Sequence, residues 1–301
     1  MSHDHSTHSH HNTLHAVGIG KAMAIGVCLN SIFVVLEAVC GWYADSLGLM
    51  ADAGHNAGDV VGLLLAWGAD AIARRPSTPR YTWGLRRTTI FAALANAILL
   101  LAACCAIVWE AYRRLWFPEP TEGIIMIVVA TVGVVINGFT AILLMKESHA
   151  DLNIRGAYLH MMADAAVSLG VVVAGVALWT TGILWIDPIV SMLVSFVVAY
   201  GTWGLLWESA NLALDAVPRG IDFHKIDVFL RSIEGVSNVH ELRIWGPSTS
   251  ESSLTAHVVV VDERHHRRVL SQATECLKNE HGIKHITLQI EDKKVSETVS
   301  E

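Results

Sequence analysis

Charge is what this 301-residue sequence has least of: 16% of its residues are Asp, Glu, Lys or Arg, and its mean hydropathy is +0.44. Soluble domains carry roughly a quarter charged residues, so a wholly soluble protein is excluded. Basic residues are also short, 21 Lys and Arg against 28 Asp and Glu, and a net charge of −7 leaves no basic surface for nucleic acid. The five cysteines, Cys28, Cys40, Cys104, Cys105 and Cys276, form no C-x-x-C pair, and four stand in apolar runs. They read as small core hydrophobes, not as a disulfide framework or a thiolate metal site. No H-E-x-x-H is present, so the sequence does not read as a membrane metalloenzyme. The first fifteen residues, MSHDHSTHSHHNTLH, hold six histidines and no apolar run, which excludes a signal peptide. They predict a flexible cytoplasmic tail over 1–15, open to two readings: an exchangeable gatherer of metal, or a solvated end.

The charges that are present are unevenly spread. Residues 16–215 carry 10 Lys/Arg and 14 Asp/Glu, whereas residues 216–301 carry 11 and 13 in less than half the length. The contrast predicts a membrane domain over 16–215 and a small soluble domain over 216–301. Six apolar segments, roughly 17–42, 47–72, 88–115, 122–145, 157–181 and 184–208, each exceed the twenty or so residues needed to cross a bilayer. Trp42, Trp83, Trp116, Trp179, Trp185 and Trp207 cluster near their ends, as an interfacial belt requires. Arg74, Arg75, Arg80, Arg86 and Arg87 lie between the second and third segments, and Lys146 and Arg155 between the fourth and fifth. The positive-inside rule therefore puts these loops and both termini in the cytoplasm, with Arg113 and Arg114 running against it.

Ionisable residues inside such segments are costly and carry the functional signal. The second segment contains ADAGHNAGD, with Asp52, His55 and Asp59; the fifth contains HMMAD, with His160 and Asp164. In each, histidine and aspartate are four apart and share a helix face. Helical rise lets the two pairs meet near mid-bilayer, closer still if the fifth helix starts a turn or two before residue 157. Two imidazoles and two carboxylates suit a tetrahedral Zn2+ and balance its charge. The alternative is a set of interhelical hydrogen bonds or pore-lining groups. Gly54, Gly58 and Gly62 would allow a neighbouring backbone to approach the second helix.

Taken together, the His-rich start, the six segments, HNAGD, HMMAD and a C-terminal region with VHELRIW and AHVVV resemble the cation diffusion facilitator family, in particular its zinc-transporting branch. The resemblance spans nearly the whole chain. It implies a homodimer exporting Zn2+ from the cytoplasm in exchange for protons, with a transport site on His55, Asp59, His160 and Asp164. Some relatives have aspartate at the place of His55 and accept more ions; histidine favours zinc, with cobalt or cadmium secondary. Relatives with metal in the loop after the second span have histidines there, and RRPSTPRYTWGLRR has none. Asp52 admits two roles, a polar group near the helix start or a ligand on the release path. Asn30, Glu37, Asn96 and Asn137 are expected as hydrogen-bonding partners, and Asp187 as a turn or helix-start residue. Arg86 or Arg87 pairing with Asp215 would tie the halves of a dimer.

From Pro218 the pattern predicts helix 222–234, strand 238–245, strand 254–262, helix 265–280 and strand 284–291, a ferredoxin-like α+β domain. Seven histidines lie here, and they are either ordinary surface residues or metal ligands. His240 and His257 match family ligands and are placed at the starts of adjacent strands; Glu291 is a candidate carboxylate partner. His265 or His266 would bridge a dimer, and His285 completes the candidate set. Gln289 stands where some relatives have histidine, which argues against a full binuclear site.

The resulting expectation is an α-helical membrane protein of six spans plus a ferredoxin-like cytoplasmic domain, multi-pass in the cell (inner) membrane. Its activity is zinc/proton antiport, with Zn2+ also a structural or regulatory ion in the C-terminal domain. Two other classes stay open, a passive divalent-cation channel and a membrane-anchored metal sensor.

Overall fold

The structure, a computed structural model, describes Cys28, residues 30–145 and residues 152–292, with side chains from Arg155 onward in the last segment. The histidine-rich segment 1–15 and Lys146 lie outside the described residues. Six helices come first: α1 (Asn30–Tyr43), α2 (Leu47–Ala73), α3 (Thr88–Trp116), α4 (Gly123–Met145), α5 (Leu152–Thr181) and α6 (Ile186–Ala213). Four of them, α3, α4, α5 from Arg155 and α6, are long and apolar enough to cross a membrane. Helix α2 has the length, 27 residues, but Asp52, Asp59 and Asp70 interrupt its apolar character. The described part of α1 is apolar but shorter. The helices carry their large apolar side chains outward: Leu193, Phe196, Val197 and Tyr200 of α6 are all exposed. Water would not tolerate such a face, and lipid requires one. The six tryptophans near the segment ends are exposed as well.

By compactness the chain divides into two units, one of residues up to 63 with 98–202, the other of residues 64–97 with 203 onward, so α2, α3 and α6 contribute to both. In the first unit a core of Phe33, Leu49, Met126, Val129, Val171 and Leu178 joins α1, α2, α4 and α5. Small residues set the helix approaches. A Cβ on Gly175 would stand 3.2 Å from the backbone nitrogen of Ile127, so α4 and α5 touch backbone to backbone there. The expected role for Gly58 is different in kind: its missing Cβ makes room for the Leu100 side chain of α3, which a methyl would meet at 2.1 Å.

Helix α2 begins with a double cap. Ser46 accepts from the Leu49 amide at 3.3 Å, and Asp187, buried at the start of α6, accepts from Ser46 Oγ (2.7 Å), Leu47 N (2.8 Å) and Gly48 N (3.0 Å). Asp187 thus serves three donors at the start of a different helix, beyond the local helix-start role expected of it. Arg113 and Arg114 are tied as well: Arg114 donates to the Asp45 carbonyl (2.6 Å) and carboxylate (2.7 Å), and Arg113 pairs with Glu110 at 2.6 Å. Both arginines are therefore held in ion pairs.

The second unit holds the α–β–β–α–β run: α7 (Phe223–Ser232), β1 (Val236–Ser248), β2 (Glu251–Val260), a 3-10 turn (Glu263–His265), α8 (His266–Asn279) and β3 (His285–Asp292). The order is the expected one, with both hairpin strands longer at their facing ends. The sheet order is β1-β2-β3; β1 and β2 are antiparallel, while β2 and β3 are parallel and use α8 as their crossover. Ile226 and Leu230 of α7, and Val269, Ala273 and Leu277 of α8, pack on Val239, Leu254, Val258 and Val260 of the sheet.

Candidate functional site

Helix α5 starts at Leu152, five residues before its continuous apolar run, and this puts His160 and Asp164 about 12 and 18 Å along it. His55 and Asp59 lie at the same distances, about 12 and 18 Å, along α2. The two pairs meet crosswise. His55 Nε2 is 3.1 Å from Asp164 Oδ1, and His160 Nε2 is 3.1 Å from Asp59 Oδ2. Within each helix the histidine also approaches its own aspartate, 3.9 Å in α2 and 3.6 Å in α5. The imidazole centroids are 6.0 Å apart, edge to face. Ligand atoms of His55, Asp59 and Asp164 lie within 4.8 Å of one another, and His160 joins through Asp59. This is a set of two nitrogen and two oxygen donors whose carboxylates balance a divalent cation. Its two ends differ: side-chain exposure is 2% at Asp164 and 17% at His55, against 33% at Asp59 and 43% at His160.

Deeper polar groups surround it. Asp52, fully buried, accepts from Ser168 Oγ of α5 at 2.7 Å; Glu37 of α1, equally buried, accepts from Asn56 Nδ2 at 3.2 Å. Asn30 reaches only Met161 Sδ, at 3.6 Å, among the described residues. Asn137 is buried, yet neither atom of its amide has a hydrogen-bond partner among the described residues, and Asn96 leaves its oxygen unpartnered there. The expected partner role therefore holds for Glu37 and not for Asn137.

In the second unit His240 and His257 face each other across the β1–β2 ladder, with rings 5.0 Å apart. They lie inside their strands, because those strands begin at Val236 and Glu251 instead of at the histidines. Parallel pairing of β2 with β3 adds Gln289 and Glu291 to the same edge of the cluster. Glu291 bridges the rings, 3.1 Å from His240 Nε2 and 2.7 Å from His257 Nδ1, and also accepts from Gln289 at 2.9 Å. Burial alone would push the Glu291 carboxyl up, but the hydrogen bonds and charge of the two imidazoles prevail and hold it below its ordinary value. These three residues can hold a metal.

The other proposed ligands lie elsewhere. His266 pairs with Asp292 at 3.0 Å, and His265 packs beside Gly235 with a buried Nδ1 that has no partner among the described residues. His285 sits 3.0 Å from Arg86 and 3.5 Å from Glu251, against the Trp83 ring. Sequence reasoning missed this Arg86–Glu251–His285 group, and residues 165 and 199 apart in sequence give no local signal for it. Burial would raise Glu251 too; Arg86 and His285 hold it below the usual carboxylate range. Of the two arginines considered for Asp215, it is Arg87 that pairs, at 2.6 Å and within one chain.

Membrane-long helices followed by a small α+β unit define a multi-pass membrane protein with a C-terminal α+β domain. Residues 23–212 match the cation efflux transmembrane domain and residues 218–293 the cytoplasmic domain of cation efflux proteins. The chain belongs to the cation efflux, or cation diffusion facilitator, family. It is 36% identical over 293 residues to the zinc transporter ZitB of Escherichia coli (strain K12), covering 97% of this chain and 93% of that protein. Identity to the cation efflux system protein CzcD of Alcaligenes sp. (strain CT14) is 35% over 287 residues, 94% and 89% of the two chains. A cadmium, cobalt and zinc/H(+)-K(+) antiporter of Bacillus subtilis (strain 168) is 30% identical over 279 residues, 90% and 88%. Metal cation efflux is thus the activity of this chain's class, and its relatives are transporters, not enzymes.

Proposed function

We propose that this protein exports Zn2+ from the cytoplasm across the cell (inner) membrane in exchange for protons, with Cd2+ or Co2+ as secondary ions. The observation that carries the reading is the crosswise meeting of His55, Asp59, His160 and Asp164 between α2 and α5. Six spans per chain, cytoplasmic termini, a ferredoxin-like C-terminal domain and a homodimer complete the proposal. The orientation rests on Arg74, Arg75, Arg80, Arg86 and Arg87 between the second and third segments, against Arg113 and Arg114.

Zinc as substrate needs neutral imidazoles and ionised carboxylates, so its entry displaces the protons shared along the two His–Asp contacts. When zinc leaves, protons restore those contacts and lower the cost of uncompensated charge in the membrane. The more exposed end, Asp59 and His160, lies toward the cytoplasmic ends of α2 and α5 in this orientation, which supports loading from that side. Alternating exposure of the two ends then carries zinc out and protons in. His240, His257 and Glu291 bind a second, resident zinc.

The test is purified protein in liposomes with an internal pH dye. Zinc entering the lumen should drive protons out, and collapsing the pH gradient should slow zinc. Zinc flux indifferent to the gradient would instead indicate a passive channel, and binding without flux a membrane-anchored sensor.

A further inference from the structure

Glu37 and Asp52 are two carboxyls with no measurable exposure, on neighbouring helices α1 and α2, and no lysine or arginine among the described residues pairs with either. Each has one oxygen served by a neutral donor, Asn56 Nδ2 for Glu37 and Ser168 Oγ for Asp52. Each has another, Glu37 Oε1 and Asp52 Oδ1, that is buried and receives no donor from any described residue. The two carboxyls are near enough for each to feel the other's charge. Two bare negative charges side by side in an apolar bundle are untenable. A proton carried by the pair removes one of the two charges and gives one of the empty oxygens a hydrogen.

Among the described residues, the titratable groups facing the pair are His55 on α2 and Asp164 on α5, both belonging to the quartet. Asp52 stands three residues, about 4.5 Å of helical rise, from His55. A divalent charge at the quartet therefore falls close enough to act on the pair.

We propose that Glu37 and Asp52 form a proton-carrying pair, separate from the metal ligands, that takes part in exchanging protons for the exported cation. The inference rests on the antiport reading above. With zinc at the quartet, the ion's charge favours loss of the pair's proton: one carboxyl O–H bond breaks and the proton passes to water on the cytoplasmic side. When zinc leaves outward, the pair is again two uncompensated charges, and one O–H bond forms with a proton taken from the outer side. Asn56 and Ser168 hold the carboxyls in place through both states. Glu37 and Asp52 touch no metal in this scheme, so neutralising them should spare zinc binding while uncoupling transport from the pH gradient.

The test compares wild type, Glu37→Gln, Asp52→Asn and Glu37→Asp in zinc-loaded liposomes, with two readouts. One is zinc influx driven by a pH gradient, with protons counted per zinc; the other is isotopic zinc-for-zinc exchange at equal pH. The expected result is about tenfold slower gradient-driven influx in the two neutral variants, about one proton fewer per zinc, and exchange changed by less than about threefold. Glu37→Asp, which keeps a proton-binding group, should recover a good part of the coupling. Wild-type coupling retained in full by both neutral variants would overturn the pair and leave the antiport reading standing. Loss of exchange in step with influx would also overturn it, by making the pair part of the metal site. An uncoupled wild type would remove both. Infrared spectra of the wild type guard against misfolded variants: a buried protonated carboxyl should be visible at neutral pH, and its absence would overturn the proposal by itself.

Discussion

The quartet in the helices and the trio in the sheet use the same chemistry on opposite supports. Both pair two imidazoles with carboxylate. In the quartet each aspartate contacts a histidine from the other helix, at 3.1 Å both times, so the site exists only while α2 and α5 stay in register. In the trio both imidazoles converge on one carboxylate, Glu291, held by the hydrogen-bonded ladders of three strands. A site divided between two helices can be taken apart by their movement, whereas one on a sheet cannot without breaking the sheet. The first arrangement suits an ion that must leave, the second an ion that stays. Charge agrees: two carboxylates balance a divalent ion among apolar helices, where an unbalanced charge is costly.

The largest effect tests the first half of that contrast. Asp59→Ala and Asp164→Ala should each lower zinc transport by at least about 100-fold, because each leaves three ligands and an unbalanced positive charge among apolar helices. Zinc uptake into inverted vesicles, with the membrane level of each variant measured alongside, checks this. Near-normal uptake by both would mean that the crosswise contacts are only interhelical hydrogen bonds.

Next in size, His55→Asp should change the ranking of metals more than the rate. One imidazole and three carboxylates form a harder set with an extra negative charge and tolerate coordination numbers above four. Competition among Zn2+, Cd2+ and Mn2+ should shift about tenfold toward the latter two. An unchanged ranking would remove His55 from the site.

How much of the two centres could be read in the sequence follows from their supports. An i, i+4 pair puts two side chains on one face of a helix whatever the helix packs against, so His55 with Asp59 and His160 with Asp164 were legible before any fold was known. Their meeting also needed the helix start at Leu152, which polar residues before the apolar run obscured. The trio depends on strand register, which pairs His240 with His257 and sets β3 beside β2; residues 34 and 51 apart carry no local mark of that. The glycines of α2 were expected to admit a neighbouring backbone, but Gly58 makes room for a leucine side chain of α3, and a Cβ on Gly54 would meet only an Ile107 methyl at 3.8 Å. Asp187 could not be read at all as the cap of α2, since its partners lie about 140 residues away.

A smaller effect tests the second half of the contrast. His257→Ala should leave transport at saturating zinc within about threefold of wild type, yet lower the zinc retained per chain in equilibrium dialysis. Abolished transport in a correctly inserted variant would show that the trio is part of the pathway and not a resident site.

The smallest effect lies in Glu291 without metal. Its carboxyl is held below its ordinary value, so it binds protons less readily in the folded chain than in the unfolded one. The stability it contributes is fully present above the unfolded value, about 4.3, and is lost as the pH falls through the lower folded value. Glu291→Gln should therefore lower stability at neutral pH by about 1 kcal/mol, the scale of a charge-assisted hydrogen bond exchanged for a neutral one. The deficit should begin to close as the pH falls below the unfolded value and should vanish below the lower folded value, where wild type and variant both carry a neutral group. Thermal unfolding of the full chain in detergent, with chelator present and the pH stepped downward, measures the difference directly. A deficit that stays constant across that range would mean that the substituted amide fails for its shape and not its charge. Glu291 would then be a packing residue of the sheet, and the trio would lose the carboxylate that sets it apart from two neighbouring histidines.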